Sequence, residues 1–220
     1  IARATIGHLD PRFVGMMEEL KDLLRYAFQT GNALTVPVSA PGSAGMEAAF
    51  VNLIEAGDKV LVCQNGVFGG RMRENVVRIG ATPIMVSDAF GKPVDPEKVE
   101  VALKANSGVK AVAFVHAETS TGVESDAATL CALAREYGAL SIVDAVTSLG
   151  GIPLLADEWG ADAIYSGSQK CLSAPPGLSP LTFSARAVET LQARRTPVQS
   201  WFLDLSLVMG YWQGSGARAY

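Results

Sequence analysis

Two neighbouring runs decide how this chain is read: Ala139-Leu140-Ser141-Ile142-Val143-Asp144 and, past Gly150-Gly151 and Gly160, Ala163-Ile164-Tyr165-Ser166-Gly167-Ser168-Gln169-Lys170. Each opens with a short apolar segment and closes on small or polar residues, the pattern of a strand covered on both faces that ends at a sheet edge. In open α/β sheets that carboxyl edge is where ligands bind.

The same pattern continues outward. Apolar runs at 59–63, 82–86 and 109–116 alternate with helix-like stretches at 68–79, 96–105 and 125–137. Continuous apolar strands joined by helices predict an α/β fold, a mainly parallel sheet sandwiched by helices. Ahead of it, Asp10-Pro11 reads as a helix cap and first helical position, and Phe13, Met16, Met17, Leu20, Leu24, Ala27 and Phe28 keep helical spacing up to Gly31. Residues 1–32 are therefore expected to form an N-terminal helical segment and 33–220 a large domain. Leu181-Thr182-Phe183 is one further strand candidate.

The edge residues carry the chemistry. A buried carboxylate without a partner is costly, so Asp144 must face hydrogen-bond donors, a metal or another cation. One reading makes it a capping residue for nearby backbone N–H groups. Another pairs it with the protonated ring nitrogen of pyridoxal phosphate, whose electron-sink chemistry also requires a Schiff-base lysine, and Lys170 stands in place for that. Taken alone, a lysine just past a strand is an ordinary solvated residue. The cofactor phosphate would need an anion site. Ser39-Ala40-Pro41-Gly42-Ser43-Ala44-Gly45 joins the strand-like 34–38 to a helix with apolar Met46, Ala49, Phe50, Leu53 and Ile54. Such a turn exposes the first N–H groups of the helix, although a Gly-Ser pair also serves as a plain N-cap.

Taken in order, Gly42-Ser43, Asn65-Gly66-Val67-Phe68-Gly69, Glu118-Thr119-Ser120-Thr121-Gly122-Val123, Val143-Asp144, Ser166-Gly167-Ser168-Gln169-Lys170 and Ala174-Pro175-Pro176-Gly177 resemble the class V aminotransferases of pyridoxal-phosphate fold type I. Within them the chain is most similar to the alanine–glyoxylate and serine–glyoxylate group, from about Ile6 to Tyr220. The resemblance implies pyridoxal 5'-phosphate as cofactor, Lys170 as Schiff-base lysine and Asp144 as pyridinium partner. It implies Phe68 as the aromatic stacked on the ring, smaller than the Trp of many relatives, with Val146 on the other side. Gly42, Ser43 and Gln169 fall on phosphate and pocket contacts, and Thr119 lies near the ring hydroxyl. Tyr220 matches a residue that reaches the neighbouring subunit's cofactor, which implies a homodimer with shared sites. In a strand at 181–183 the family runs antiparallel. The resemblance also places a smaller C-terminal domain, with the arginine that clamps the substrate carboxylate, outside this chain.

The implied reaction moves an amino group from L-alanine or L-serine to glyoxylate or pyruvate by a ping-pong course, with ureidoglycine as an alternative donor. A lysine has an ordinary pKa of about 10.4 and must be shifted or covalently held to act near neutral pH. Two other readings stay open: a lyase or desulfurase on the same fold, whose members place His before the lysine where Gln169 stands here, and a non-catalytic cofactor-binding domain.

Composition narrows the partners. The net charge of −4 over 220 residues speaks against nucleic acid and anionic membranes. No apolar stretch approaches the roughly 18 residues of a membrane span. Cys63, Cys131 and Cys171 have no metal-ligand spacing, and a reducing cytoplasm is the compartment expected for such a set. With only His8 and His116, no histidine-based metal site is expected. No P-loop pattern occurs, nor does a Gly-x-Gly-x-x-Gly follow a strand.

Overall fold

The computed structural model describes residues 4–212. Helix α1 (Pro11–Phe28) is capped as its sequence predicts: Asp10 Oδ1 accepts from Arg12 N at 2.8 Å, and Pro11 fills the first turn. There follow β1 (Leu34–Val38), α2 (Gly42–Leu53), β2 (Lys59–Gln64), α3 (Val67–Ile79), β3 (Thr82–Ser87), α4 (Pro96–Ala105) and β4 (Val109–Val115). A short hairpin, β5 (Ala117–Glu118) and β6 (Val123–Glu124), leads to α5 (Ala127–Glu136) and β7 (Leu140–Asp144). The rest is α6 (Ala156–Trp159), β8 (Ala163–Tyr165), β9 (Ser179–Phe183), α7 (Ala185–Gln192) and α8 (Leu205–Trp212).

The main sheet has seven strands in the order β1-β9-β8-β7-β4-β2-β3. Pairs β2–β3, β2–β4, β4–β7 and β7–β8 are parallel, whereas β9 runs antiparallel to both β8 and β1. Alternate residues of each inner strand enter opposite cores. Val60, Val62, Ala111, Ala113 and Val115 pack with α2, α3 and α7, while Leu61, Cys63, Val112 and Phe114 pack with α1, α4, α5 and α6. Two buried faces explain why these strands read as unbroken apolar runs and not as alternation.

Chain direction matters for the site. From β2 the path goes outward to β3 and then returns to β4 on the other side of β2. Connections leaving β2 and β4 therefore diverge, and the carboxyl edge between them opens a crevice.

Candidate active site

Asp144 closes β7 at that edge and is 2% exposed. Its Oδ1 accepts from Val146 N at 2.9 Å, and its Oδ2 accepts from the Tyr165 hydroxyl at 3.0 Å. The capping reading is met by the nearby backbone N–H, and among the described residues no cation is in contact with the carboxylate. Burial pushes its pKa up to about 6; the two hydrogen bonds and the more distant Arg71 oppose the rise, and the like charge of Glu118 adds to it.

Tyr165 comes to Asp144 because β8 pairs with β7 so that the two residues stand in register. Beyond Tyr165 the chain bends into the lysine loop. Ser168 ties this loop together: its N–H donates to Leu178 O at 2.9 Å, its hydroxyl to Pro175 O at 2.6 Å, and its carbonyl accepts from Ala174 N at 2.9 Å. Gln169 and Lys170 are the exposed tip. No side-chain hydrogen bond or ion pair holds Lys170 among the described residues, so its amine is free to reach a ligand over the edge.

Helix α2 begins beside this loop. An ideal Cβ on Gly42 would stand 3.2 Å from Val146 Cγ2, 3.3 Å from Ser166 O and 3.5 Å from Gly167 Cα, so glycine is what allows the helix start to sit against the turn after β7 and the lysine loop. The N-cap is Pro41, with no side-chain hydrogen bond; Ala44 N turns back to Pro41 O at 2.8 Å, which leaves the N–H groups of Gly42 and Ser43 available. Ser43 is inside the first turn and exposed, so the alternative of a plain Ser N-cap is overturned. Ile54 likewise falls just outside the helix, as its C-cap.

The third side of the site is α3. Its start is covered, unlike that of α2. Glu118, fully buried, accepts from Phe68 N at 3.2 Å through Oε2 and from Ser120 N and Oγ at 3.0 and 2.7 Å through Oε1; Ser120 Oγ accepts from Val67 N at 3.1 Å. The half-buried Phe68 is thereby fixed by its backbone, with the Arg71 guanidinium 4.6 Å from its ring centre. Thr119, exposed, has its hydroxyl 3.0 Å from that of Thr147, which donates to Ala117 O at 2.6 Å. Val146 adjoins Thr147 and is 8% exposed.

The edge therefore gathers Gly42, Ser43, Phe68, Thr119, Asp144, Val146, Gln169 and Lys170. Tyr220 lies outside the described residues. His116 is not in this group. It continues β4 on the opposite face of the sheet, edge-on to Trp159 at 5.0 Å, with Nε2 3.4 Å from Glu124 Oε1 and burial lowering its pKa. Cys171 donates to Thr147 O at 3.3 Å and packs against Gly151. Among the described residues, no cluster of three His, Cys, Asp or Glu could hold a metal, and no helix is long and apolar enough to cross a membrane.

Three residues of the site escape a reading of the sequence: Tyr165, Glu118 and Ser168. Tyr165 had a usable signal, because a buried aspartate at one strand end calls for a donor and a tyrosine ends the next strand. The other two look like ordinary members of turns.

Comparison with known proteins gives a consistent picture. A family model described as Aminotransferase class-V matches residues 2–197. Alanine–glyoxylate aminotransferase of Oryctolagus cuniculus is 41% identical over 211 residues, covering 96% of this chain and 54% of that relative. The solved structure of alanine–glyoxylate aminotransferase from Nostoc sp. superimposes with a TM-score of 0.94 at 45% identity, covering 99% of this chain and 57% of that one. Ureidoglycine–glyoxylate aminotransferase from Bacillus subtilis gives a TM-score of 0.93 at 38% identity, covering 96% and 54%. The chain spans about half the length of the curated relatives it matches.

Proposed function

This chain belongs to the aminotransferase class-V family, and from that premise we propose that the whole protein is a transaminase that uses pyridoxal phosphate to move an amino group from L-alanine or L-serine to glyoxylate or pyruvate. The observation that carries this is the buried Asp144 carboxylate, which shares one sheet edge with a helix start that no side chain caps and a lysine without a partner among the described residues. A cofactor with a cationic ring nitrogen at one end and a phosphate at the other fits that arrangement. Asp144 would receive the nitrogen, and the first N–H groups of α2, with the Ser43 hydroxyl, would receive the phosphate. Phe68 and Val146 would flank the ring, Thr119 would meet its hydroxyl, and Gln169 would line the phosphate end.

When bound, pyridoxal phosphate supplies an aldehyde that links to amines and a ring that accepts the electron pair left when a substrate Cα loses its proton. Asp144 would keep a proton on the ring nitrogen, which would maintain that electron demand. A cation arriving at Asp144 also favours its charged form and offsets the desolvation that holds its pKa near 6. Lys170 would hold the cofactor through its amine; released by the substrate amine, its Nζ would serve as the base that takes the substrate Cα proton and as the acid that gives it back.

We further propose that residues 1–32 act as an N-terminal helical segment of the 33–220 large domain, and that two copies form a homodimer with shared sites. A cytoplasmic location accords with three free cysteines, two of them buried. The likeness to the Bacillus subtilis protein supports ureidoglycine as a second amino donor.

The test is direct. Full-length protein given L-alanine and glyoxylate forms pyruvate and glycine, with serine and ureidoglycine assayed as donors in parallel. Lys170→Ala loses turnover and the visible absorbance of bound cofactor. Normal turnover by that variant would overturn the assignment.

A further inference from the structure

Asp144 is held by two donors of different kinds. Val146 N belongs to the turn that follows Asp144 itself, so it moves with the carboxylate; the Tyr165 hydroxyl comes from the neighbouring strand. Tyr165 is fully buried, and an ideal Cβ on Gly45 of α2 would stand 3.2 Å from Tyr165 Cβ, so the first turns of α2 pack against the root of this side chain. The same helix presents its uncapped start at the edge. Tyr165 thus joins the two ends of the site through rigid elements: helix α2 behind it and Asp144 before it. Burial and the negative charge of Asp144 push the Tyr165 pKa far up, which keeps it a neutral donor. The other charged groups acting on Asp144 are Glu118 and Arg71, and neither hydrogen-bonds to it among the described residues.

We propose that Tyr165 is the positioning residue for Asp144: its hydroxyl pins Oδ2 from the adjacent strand and aims the remaining lone pairs of the carboxylate at the ring nitrogen. An ionised carboxylate offers about four acceptor positions, so two donors leave room for the nitrogen. The consequence for turnover rests on the transaminase reading above; the consequence for the ionisation of Asp144 does not. Loss of the hydroxyl makes the charged carboxylate costlier, while a more acidic hydroxyl makes it easier to hold.

The experiment uses full-length protein carrying Tyr165→Phe or 3-fluorotyrosine at position 165, each with and without Asp144→Asn. After removal of the cofactor, stability is followed against pH. The window over which wild type loses stability moves upward in Tyr165→Phe and downward with fluorotyrosine. Neither shift occurs in the Asp144→Asn background. With pyridoxal phosphate added, Tyr165→Phe binds it about tenfold more weakly, and kcat falls while KM for the amino donor stays within about twofold. An unchanged window in both Tyr165 variants overturns the proposal, and if Tyr165→Phe does not fold, the fluorotyrosine shift alone decides. Failure of wild type to bind pyridoxal phosphate would sink the transaminase reading and leave the stability measurement standing.

Discussion

Arg186 Nη1 lies 3.0 Å from Asp162 Oδ2 beneath the amino end of β8, at the opposite end of the sheet from Asp144. Asp162 is 2% exposed and also accepts from Ser141 N and Ser184 Oγ, while Arg186 donates to Gly138 O and Ala139 O. Among the described residues, two aspartates are buried, one supplied with a cation and one not. Arg186→Ala should lower stability by about 2 kcal/mol, below the range for fully buried pairs because Arg186 is one-third exposed. Chemical denaturation checks it, with cofactor affinity expected to hold at wild-type level.

For Asp144 the pH dependence has the opposite sense from that of a salt-bridged carboxylate. Its folded pKa, about 6, stands above the ordinary 3.8, so the native state binds the extra proton between those values. Stability falls as pH rises through that window, and the loss is complete above it, at about 3 kcal/mol. Full-length protein stripped of cofactor should become less stable relative to Asp144→Asn from pH 4 to 7. Adding pyridoxal phosphate should abolish the difference in slope, as read by thermal melts across the range.

Gly66 adjoins the carboxylate that covers the start of α3. A Cβ there would stand 2.2 Å from Glu118 Cγ, and Gly66→Ala therefore drives Glu118 away from Phe68 N and Ser120. The expected cost is about 2–4 kcal/mol, together with weaker cofactor binding as the Phe68 ring loses its support. Denaturation and a cofactor titration report the two effects separately.

Gly45 is crowded in a different way. Its Cβ would fall 1.9 Å from Ser179 Oγ, which donates to Ser166 O at 2.7 Å. Gly45→Ala should cost about 1–3 kcal/mol. Adding Ser179→Ala removes the worst overlap and should recover part of the loss, since Tyr165 Cβ still stands 3.2 Å away. A double-mutant cycle measures the coupling.

Much of the scaffold was legible in the chain. Burial on both faces makes the inner strands apolar throughout, so β8 begins and ends where the pattern does and β2 and β7 differ from it by a residue or so; the helix α4 also keeps its expected bounds, and the edge strand β3 runs one residue longer. The antiparallel course of β9, implied by resemblance, is also found. What the pattern lacks is depth and pairing. Hairpin β5–β6 has only two residues per strand and α6 only four, too short for any periodicity to register. His116 ends an apolar run near the edge, but the two-residue repeat of a strand turns it to the far face from Asp144. Tyr165 reads as core, and its hydroxyl acquires a purpose only once β8 is known to lie beside β7 in register.

The placement of β9 between β1 and β8 governs how this polypeptide can assemble. Val36 has no strand to pair with until Leu181, near the far end of the described chain, has been delivered. During synthesis β2, β3, β4, β7 and β8 can zip together one after another, each against a neighbour already made. Among the described strands, β1 must wait until β9 has formed, and α1, which packs on β1, waits too. Closing β1 onto β9 is thus a pairing of long sequence separation, the kind of contact whose loop-closure entropy slows folding.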